Sequence, residues 1–213
     1  MTPDSPAKFF HGYAHDFDAI YGGHASFVRR IANRYLRASM RLRYERCLQG
    51  CQPVPGKRII DIGCGPGHYA IALARMGAAR VLGLDFAPGM IELARQKATD
   101  AGVAECCTFE VQDFLLYEAT ERFDHAIVMG FMDYASEPGR VIDKVMGLTG
   151  RTAFFSFPDR RGFLAWQRRL RYRRKTPLNM YTRADVDRLF AGRGLRRITV
   201  EKLARDFFVT AEP

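Results

Sequence analysis

Short, mostly apolar runs alternate with longer amphipathic segments along the chain after residue 57. Apolar runs of this length are typical of strands that are covered on both faces of a sheet. Five of them are predicted as strands, at residues 58–63, 80–86, 107–114, 123–130 and 152–157. Helices are predicted between them, at His68–Met76, Pro88–Thr99 and about Pro138–Leu148. This alternation predicts an α/β fold around a parallel sheet.

Two amphipathic segments lie outside this alternation. From residue 26 to about residue 50, apolar residues recur at spacings of three and four with arginines between them, which predicts a helix with one cationic face. Residues 158–180 place Phe163, Trp166 and Leu170 at helical spacing within an arginine-rich stretch. We interpret this second segment as an inserted amphipathic lid.

The last part of the chain returns to regular elements. Thr182 is suited to cap a helix that ends near Ala191, and two strands follow at residues 197–204 and 206–212. We therefore expect a single domain over residues 1–213. Its parts are an N-terminal lid and helix (1–50), a core (57–157), the insertion (158–180) and a closing helix and hairpin (181–213).

Positive charge is concentrated in the two amphipathic segments. The net charge is +10, but residues 25–50 carry +6 and residues 151–175 carry +8, which leaves −4 for the rest of the chain. A neutral to acidic core with two basic elements suggests an anionic partner. An acidic small molecule, a membrane surface and a nucleic acid are all compatible with this charge.

The cysteines and the hydropathy pattern favour the cytoplasm. Five cysteines are an odd number without a disulfide-framework spacing, and we expect small buried side chains and no metal site. They are Cys47, Cys51, Cys64, Cys106 and Cys107. No apolar stretch approaches the ~20 residues that cross a bilayer, and the first residues lack the pattern of a signal peptide. Peripheral contact with a membrane stays open.

Glycines are dense in the turn after the first predicted strand. Residues 59–74 read IIDIGCGPGHYAIALA, in which Asp61 ends the apolar run and Gly63, Gly65 and Gly67 precede a helix. Glycines let the chain turn sharply and let a ligand lie against the backbone. The N–H groups that open the next helix attract anionic or lone-pair atoms. The turn therefore predicts a ligand site at the carboxyl edge of the sheet.

The spacing of these glycines bears on the kind of ligand. The dinucleotide pattern GxGxxG requires glycine where His68 stands, so NAD fits less well. The second strand ends in Asp85, 22 residues after Gly63. A carboxylate at that place can accept both hydroxyl protons of a ribose. The sequence thus predicts a nucleoside-containing ligand other than NAD.

In these motifs the chain resembles the class I S-adenosylmethionine-dependent methyltransferases. Their first motif, acid-x-Gly-x-Gly-x-Gly, is matched from Asp61 to Gly67, and their second acid is matched by Asp85. Gln112-Asp113-Phe114 stands where the family reads adenine at the end of its third strand. The phrases GLDFAPGMIELAR and FDHAIVMGFMDYASEP are most similar to bacterial small-molecule methyltransferases near the ubiquinone and magnesium-protoporphyrin methylating groups.

The resemblance implies a Rossmann-like, seven-stranded, mostly parallel sheet with helices on both faces, and S-adenosylmethionine as cofactor. It also implies a set of cofactor-binding residues: Asp61, Gly63, Cys64, Gly65, Gly67, Asp85, Phe86, Met90, Gln112, Asp113, Phe114 and Met129. Tyr13 and Tyr21 belong to an aromatic N-terminal segment that would fold over the cofactor, and a loosely packed tail is the alternative.

On the acceptor side, Asp133, Tyr134 and His15 are the candidate bases or orienting groups. A cap on the next loop is the alternative role of Asp133, and packing is that of Tyr134. Trp166, Arg171 and Tyr181 are the candidate substrate contacts.

Two functions follow from these residues. The first is O- or N-methylation of a small acidic or amphipathic molecule. The alternative is RNA methylation, in which the basic insertion would track phosphates and stack on bases. Neither an NPPY-like segment after the fourth strand nor a Pro-Cys nucleophile is present to favour a nucleic acid. The acceptor atom and the oligomeric state are left open by these motifs.

Overall fold

The computed structural model describes residues 40–161 and 178–213. Its strands are β1 (Arg58–Ile62), β2 (Arg80–Asp85), β3 (Cys107–Val111), β4 (Phe123–Val128), β5 (Thr149–Pro158), β6 (Arg197–Leu203) and β7 (Asp206–Glu212). Its helices are α1 (the described part, residues 40–50), α2 (His68–Arg75), α3 (Pro88–Asp100), α4 (Pro138–Leu148) and α5 (Arg183–Phe190).

The strands form one seven-stranded sheet in the order β3-β2-β1-β4-β5-β7-β6. Strands β1 to β5 are mutually parallel, and β7 runs antiparallel between β5 and β6. The predicted α/β class and mostly parallel sheet are confirmed. The amphipathic character expected of the insertion falls mainly on residues 162–177, which lie outside the described ranges.

Two strand bounds differ from the prediction by three residues, and the others by at most two. Strand β3 ends at Val111 rather than residue 114, because the carboxylate of Asp113 accepts from the N–H of Leu115 at 2.8 Å and starts a turn. Strand β5 begins at Thr149, three residues early, because Thr149 already pairs with Phe123 ahead of a register irregularity. Both differences arise from local hydrogen bonds that hydropathy does not record.

The sheet separates two apolar layers. Alternation along β1 directs Ile60 and Ile62 into the layer beneath α4 and α5, and Ile59 into the layer beneath α1, α2 and α3. The second layer also contains Cys47 of α1 and Cys51, which directly follows α1. The cysteines are buried as predicted, apart from half-buried Cys106. Asp61 lies on the same face of β1 as Ile59, which places a carboxylate beneath helices α1, α2 and α3.

The predicted cap of α5 is confirmed. The hydroxyl of Thr182 accepts from the N–H of Asp185, and the Asp185 carboxylate accepts from the N–H of Thr182 at 2.8 Å, which completes a capping box. None of the helices in residues 40–161 and 178–213 is long and apolar enough to span a bilayer.

Backbone hydrogen bonds join the two ends of the insertion. The N–H of Arg160 donates to the carbonyl of Tyr181, and the N–H of Tyr181 donates to the carbonyl of Pro158, both at 2.8 Å. We call the paired residues 158–160 and 179–181 the stem. Asn179 fastens the stem to the loop after β4, because its N–H donates to the Asp133 carbonyl at 2.8 Å. The base of the insertion is therefore fixed beside the carboxyl end of β4.

Candidate active site

The glycine loop connects β1 to α2 at the carboxyl edge of the sheet. The N–H groups of Gly63 and Cys64 both donate to the carbonyl of Leu84, at 2.8 and 3.0 Å, so the loop is tied to the neighbouring strand β2. A Cβ at Gly63 would lie 2.7 Å from the Phe131 ring. A Cβ at Gly65 would meet nothing within 4 Å, although φ there is +51°. A Cβ at Gly67 would lie 3.0 Å from the Phe109 ring, so Gly63 and Gly67 are packed and Gly65 is the open position that can receive a ligand.

Asp85 links the glycine loop to the start of α3. One carboxylate oxygen accepts from the N–H of Gly65 and the other from the N–H of Ala87, each at 2.9 Å. Burial raises its pKa, and the two backbone hydrogen bonds oppose that rise. Each oxygen retains acceptor capacity, because a carboxylate offers about four lone-pair sites. Asp85 can therefore accept two hydroxyl protons without releasing the loop.

Asp61 is a buried carboxylate at the end of β1, only 1% exposed. Its Oδ2 has no hydrogen-bond partner among the described residues. Burial raises its pKa from 3.8 to about 7, the charge of Asp85 acts in the same direction, and a backbone hydrogen bond with Ala70 opposes it. An oxygen of this kind suits a positively charged ligand group, since pairing stabilises the ionised form. The ammonium of S-adenosylmethionine is such a group.

The end of β3 carries the residues expected at the adenine. Asp113 is exposed and uses one carboxylate oxygen for the N–H of Leu115. Phe114 is 2% exposed and packs edge-on against Phe131, with 6.3 Å between ring centroids. Its side chain therefore belongs to the core, and only its backbone can face a ligand. The backbone of Gln112 is held by the Asp85 carbonyl at 2.9 Å.

Phe86 and Met90 follow Asp85 at the start of α3. Met90 is 2% exposed and packs with Ala87, while Phe86 is half-buried against them. Cys64 is 6% exposed, and its Sγ lies 3.6 Å from the carbonyl of Gly65. These side chains shape the floor beneath Asp85 and the glycine loop.

The loop after β4 forms the other side of the site. Met129 is half-buried, and Gly130 adopts φ +75° while its N–H donates to the Ser156 hydroxyl at 2.8 Å. Asp133 is 3% exposed, and Tyr134 is half-buried. This edge is the candidate acceptor side.

Tyr181 packs beneath this loop. Its hydroxyl donates to the Met132 carbonyl at 3.0 Å, and its ring meets Phe157 edge-on. Burial, followed by the charge of Asp133, raises its pKa to about 12. The Tyr181 phenol is therefore protonated near neutral pH and can donate a hydrogen bond but not act as a base.

A cleft of about 550 Å³ opens between the loop after β4, the stem and α5. Its lining is mixed, with two arginines, one carboxylate, one amide and several apolar side chains. The lining residues are Ala135, Ser136, Pro138, Asn179, Met180, Tyr181, Asp185, Arg188, Leu189 and Arg193.

Five of the predicted site residues belong to the N-terminal segment or to the insertion. Tyr13, His15, Tyr21, Trp166 and Arg171 lie outside the described ranges, so their roles stay predictions. Within residues 40–161 and 178–213, no cluster of three or more His, Cys, Asp or Glu side chains could hold a metal ion.

Two residues near the site were missed by sequence reasoning. Ser156 is the only polar residue in the apolar run TAFFSF after its first threonine, and Arg43 is one of seven arginines in residues 25–50. The lone serine was a usable signal, because a fully buried hydroxyl needs partners. Nothing in the sequence separates Arg43 from its neighbouring arginines.

Residues 53–158 match the family model of a methyltransferase domain. This match covers β1 to β5 with the glycine loop and the loop after β4, so the core of the chain belongs to the S-adenosylmethionine-dependent methyltransferases of class I. The fit of the cofactor rests on the open cradle at Gly65, the unpartnered oxygen of Asp61 and the two-oxygen acceptor of Asp85.

Individual relatives extend this assignment. The ubiquinone biosynthesis O-methyltransferase of Paracidovorax citrulli is 33% identical over 116 residues, which are 53% of this chain and 48% of that protein. The ribosomal protein L11 methyltransferase of Aliivibrio salmonicida is 44% identical over 64 residues, 29% of this chain and 22% of that one. The chain thus spans about half the length of the ubiquinone relative.

Among solved structures, the magnesium protoporphyrin IX methyltransferase of Synechocystis with bound S-adenosylhomocysteine superposes with a TM-score of 0.78. The superposition covers 97% of each chain at 22% identity. At this identity the likeness concerns the fold alone.

Proposed function

We propose that this chain transfers the methyl group of S-adenosylmethionine to a nitrogen or oxygen of a small acidic or amphipathic molecule. The observation that carries the proposal is the order of functional groups along one sheet edge. Asp113 follows β3, Asp85 ends β2, the glycine loop follows β1 and Gly130 follows β4, and these strands are neighbours in that order. A linear ligand laid along this edge meets each group in turn.

Three groups match three parts of the cofactor. Asp113 and the Phe114 N–H offer an acceptor and a donor for the adenine amine and a ring nitrogen. Asp85 offers two acceptor oxygens for the ribose hydroxyls. Gly65 and Asp61 offer an open backbone and an unpaired carboxylate oxygen for the methionine end. The reactive group then points toward the loop after β4.

The cofactor supplies a methyl group that its sulfonium charge already activates. The task of the chain is to align the acceptor with that methyl group and to exclude water. Asp133, 3% exposed beside this edge, is our candidate for orienting or deprotonating the acceptor, together with Tyr134 and His15. Tyr181 contributes its ring to the wall of the site: its one hydroxyl proton is donated to the Met132 carbonyl, and its pKa of about 12 excludes it as a base.

The cleft beside the stem supports the acceptor class. Arg188 is exposed at this cleft, and Tyr181 forms part of its wall. Arg188 pairs there with Asp185 and keeps further N–H donors exposed, so the cleft offers a guanidinium, an amide and apolar surface together, which suits a molecule with an acidic and an apolar end. We extend this substrate role to Trp166 and Arg171 of the insertion.

Calorimetry with the purified chain tests the cofactor. We expect binding of S-adenosylmethionine and S-adenosylhomocysteine, and no comparable binding of NAD. Asp85→Ala should weaken binding by roughly tenfold to a hundredfold, because charge-assisted hydrogen bonds contribute about 1.5–3 kcal/mol. Asp100→Ala is the control, since Asp100 is exposed at the end of α3, where its carboxylate accepts from the Gln96 amide at 2.8 Å. Tight NAD binding without a response to S-adenosylmethionine would overturn the proposal.

A second variant tests the adenine contact. Asp113→Ala should reduce the preference for adenosyl over inosyl analogues, because the carboxylate accepts from the exocyclic amine. An unchanged preference would show that adenine binds elsewhere.

A methyl-transfer assay identifies the acceptor. Labelled cofactor is incubated with acidic and apolar fractions of a metabolite extract, with RNA as the competing substrate. Labelling of RNA alone would refute the small-molecule assignment.

A further inference from the structure

We infer that Arg43 and Ser156 are positioning residues for the methionine half of the cofactor. They act through the Gly130 turn, which follows β4 opposite the glycine loop. The inference rests on the proposed function and adds to it two residues, one on the N-terminal helix α1 and one on β5, that do not themselves face the ligand.

A buried chain of polar contacts leads to this turn. The hydroxyl of Ser156, fully buried, accepts from the N–H of Gly130 at 2.8 Å and from Nη1 of Arg43 at 3.1 Å. Nη1 of Arg43 also lies 3.4 Å from Oδ2 of Asp206, and these side chains are 11% and 1% exposed. The Ser156 oxygen thus holds two donors from two different elements.

The Gly130 turn is in contact with the glycine loop. Strands β4 and β1 are parallel neighbours, and Asp61 pairs with Ile127 just before both loops begin. Phe131 follows Gly130 directly, and its ring leaves no room for a Cβ on Gly63, which would lie 2.7 Å away. A shift of Gly130 therefore moves the ring that supports the loop.

The turn also borders open space. Gly130 has φ +75°, and a Cβ there would meet nothing within 4 Å, as at Gly65. The two open glycines follow adjacent strands. Gly65 is hydrogen-bonded to Asp85, and Gly130 stands on the other side of the glycine loop, away from Asp85. Because Asp85 takes the ribose in our proposal, the space between Gly65 and Gly130 receives the methionine half.

A purely structural explanation accounts less well for this arrangement. Replacing a buried ion pair by apolar side chains is often neutral or stabilising, so stability alone gives little reason to bury Arg43 and Asp206. The contact of Arg43 with Ser156 has a direct geometric consequence, because it fixes the acceptor of the Gly130 N–H. Helix α1 is thereby connected to the site through one side chain.

The test compares two ligands that share the adenosine half. S-adenosylhomocysteine and adenosine are titrated calorimetrically into the parent chain and into Ser156→Ala, Ser156→Thr, Arg43→Gln and Arg46→Gln. Arg46 is the matched control, because it lies on the same helix and pairs with Glu201 at the exposed surface. Thermal unfolding of each variant verifies that it is folded.

We expect Ser156→Ala and Arg43→Gln to weaken S-adenosylhomocysteine binding on the order of tenfold and to leave adenosine binding unchanged. Ser156→Thr keeps the hydroxyl and should keep the parent's affinity, as should Arg46→Gln. Should Arg43→Gln fail to fold, Ser156→Ala alone decides.

Equal losses for both ligands, or no loss in folded Ser156→Ala, would overturn the inference and leave the proposed function standing. A parent chain that binds neither S-adenosylmethionine nor S-adenosylhomocysteine would instead overturn the proposed function, and with it this inference.

Discussion

Replacing Asp61 by asparagine should stabilise the unliganded protein above pH 7 while it weakens cofactor binding. The carboxylate is 1% exposed, and its Oδ2 lacks a partner among the described residues. With its pKa raised by burial from 3.8 to about 7, the ionised side chain destabilises the fold by about 4 kcal/mol above pH 7. An amide of the same shape carries no charge to desolvate.

The sign of the pH dependence follows from proton binding. Between pH 4 and 7 the folded parent holds a proton on Asp61 that the unfolded chain has released, so parent stability falls as pH rises through this window. Asparagine does not titrate, so the variant lacks this pH-dependent contribution to stability. The difference in unfolding free energy between variant and parent should therefore grow by about 3 kcal/mol from pH 5 to pH 8.

Urea unfolding of both proteins at pH 5 and pH 8, without ligand, measures this difference. The unpaired amide lowers the variant's stability by about 1–3 kcal/mol at both pH values, so the change with pH is the informative quantity. In parallel, the affinity of the parent for S-adenosylmethionine should fall below pH 7, and that of the variant should be weak throughout. A stability difference that is independent of pH would refute our view that the ionised Asp61 carboxylate destabilises the unliganded fold and is stabilised by a cationic ligand group.

Two further variants test the site and the charge reasoning. Gly65→Ala should fold and lose S-adenosylhomocysteine affinity in calorimetry, whereas Gly56→Ala, which also has positive φ and open space, should lose about 1–2 kcal/mol of stability but no affinity; equal affinities in the two variants would contradict the cradle. Asp124→Asn should have the opposite pH behaviour to Asp61→Asn: although burial raises the pKa of Asp124, hydrogen bonds with the Arg58 backbone and Lys57 lower it overall. Asp124→Asn should therefore cost stability at pH 7. This cost should shrink as pH falls below about 4 and through the lowered pKa of the folded protein, and urea unfolding at pH 7 and well below pH 4 measures it.

Much of the core was predictable because a local sequence pattern identifies each element. The strands before Asp61 and Asp85 are apolar on both faces, and hydropathy alone located them. The cap at Thr182 was predictable for a similar reason, because a capping box needs only residues three apart. Patterns of this kind can be recognised in the sequence without knowledge of the tertiary contacts.

The contacts between distant elements could not be predicted in the same way. Phe114 was expected at the adenine, yet its ring lies in the core against Phe131, since the turn begun by Asp113 directs it inward. Arg43 resembles a solvent-exposed arginine until helix α1 is docked on β5 beside Ser156. Sequence spacing carries no information on a contact that spans 113 residues of chain.

The stem of residues 158–160 and 179–181 bears on how such a protein diversifies. Its two cross-links at Tyr181 run from backbone to backbone, so they do not depend on which side chains lie between the paired ends. Lengthening a closed loop adds little entropic penalty, about 0.6 kcal/mol per doubling. The length and sequence of residues 162–177 can therefore change while the glycine loop and Asp85 keep their positions. In our proposal these residues contact the methyl acceptor, so selection for a new acceptor could act on them without altering the groups that we assign to the cofactor.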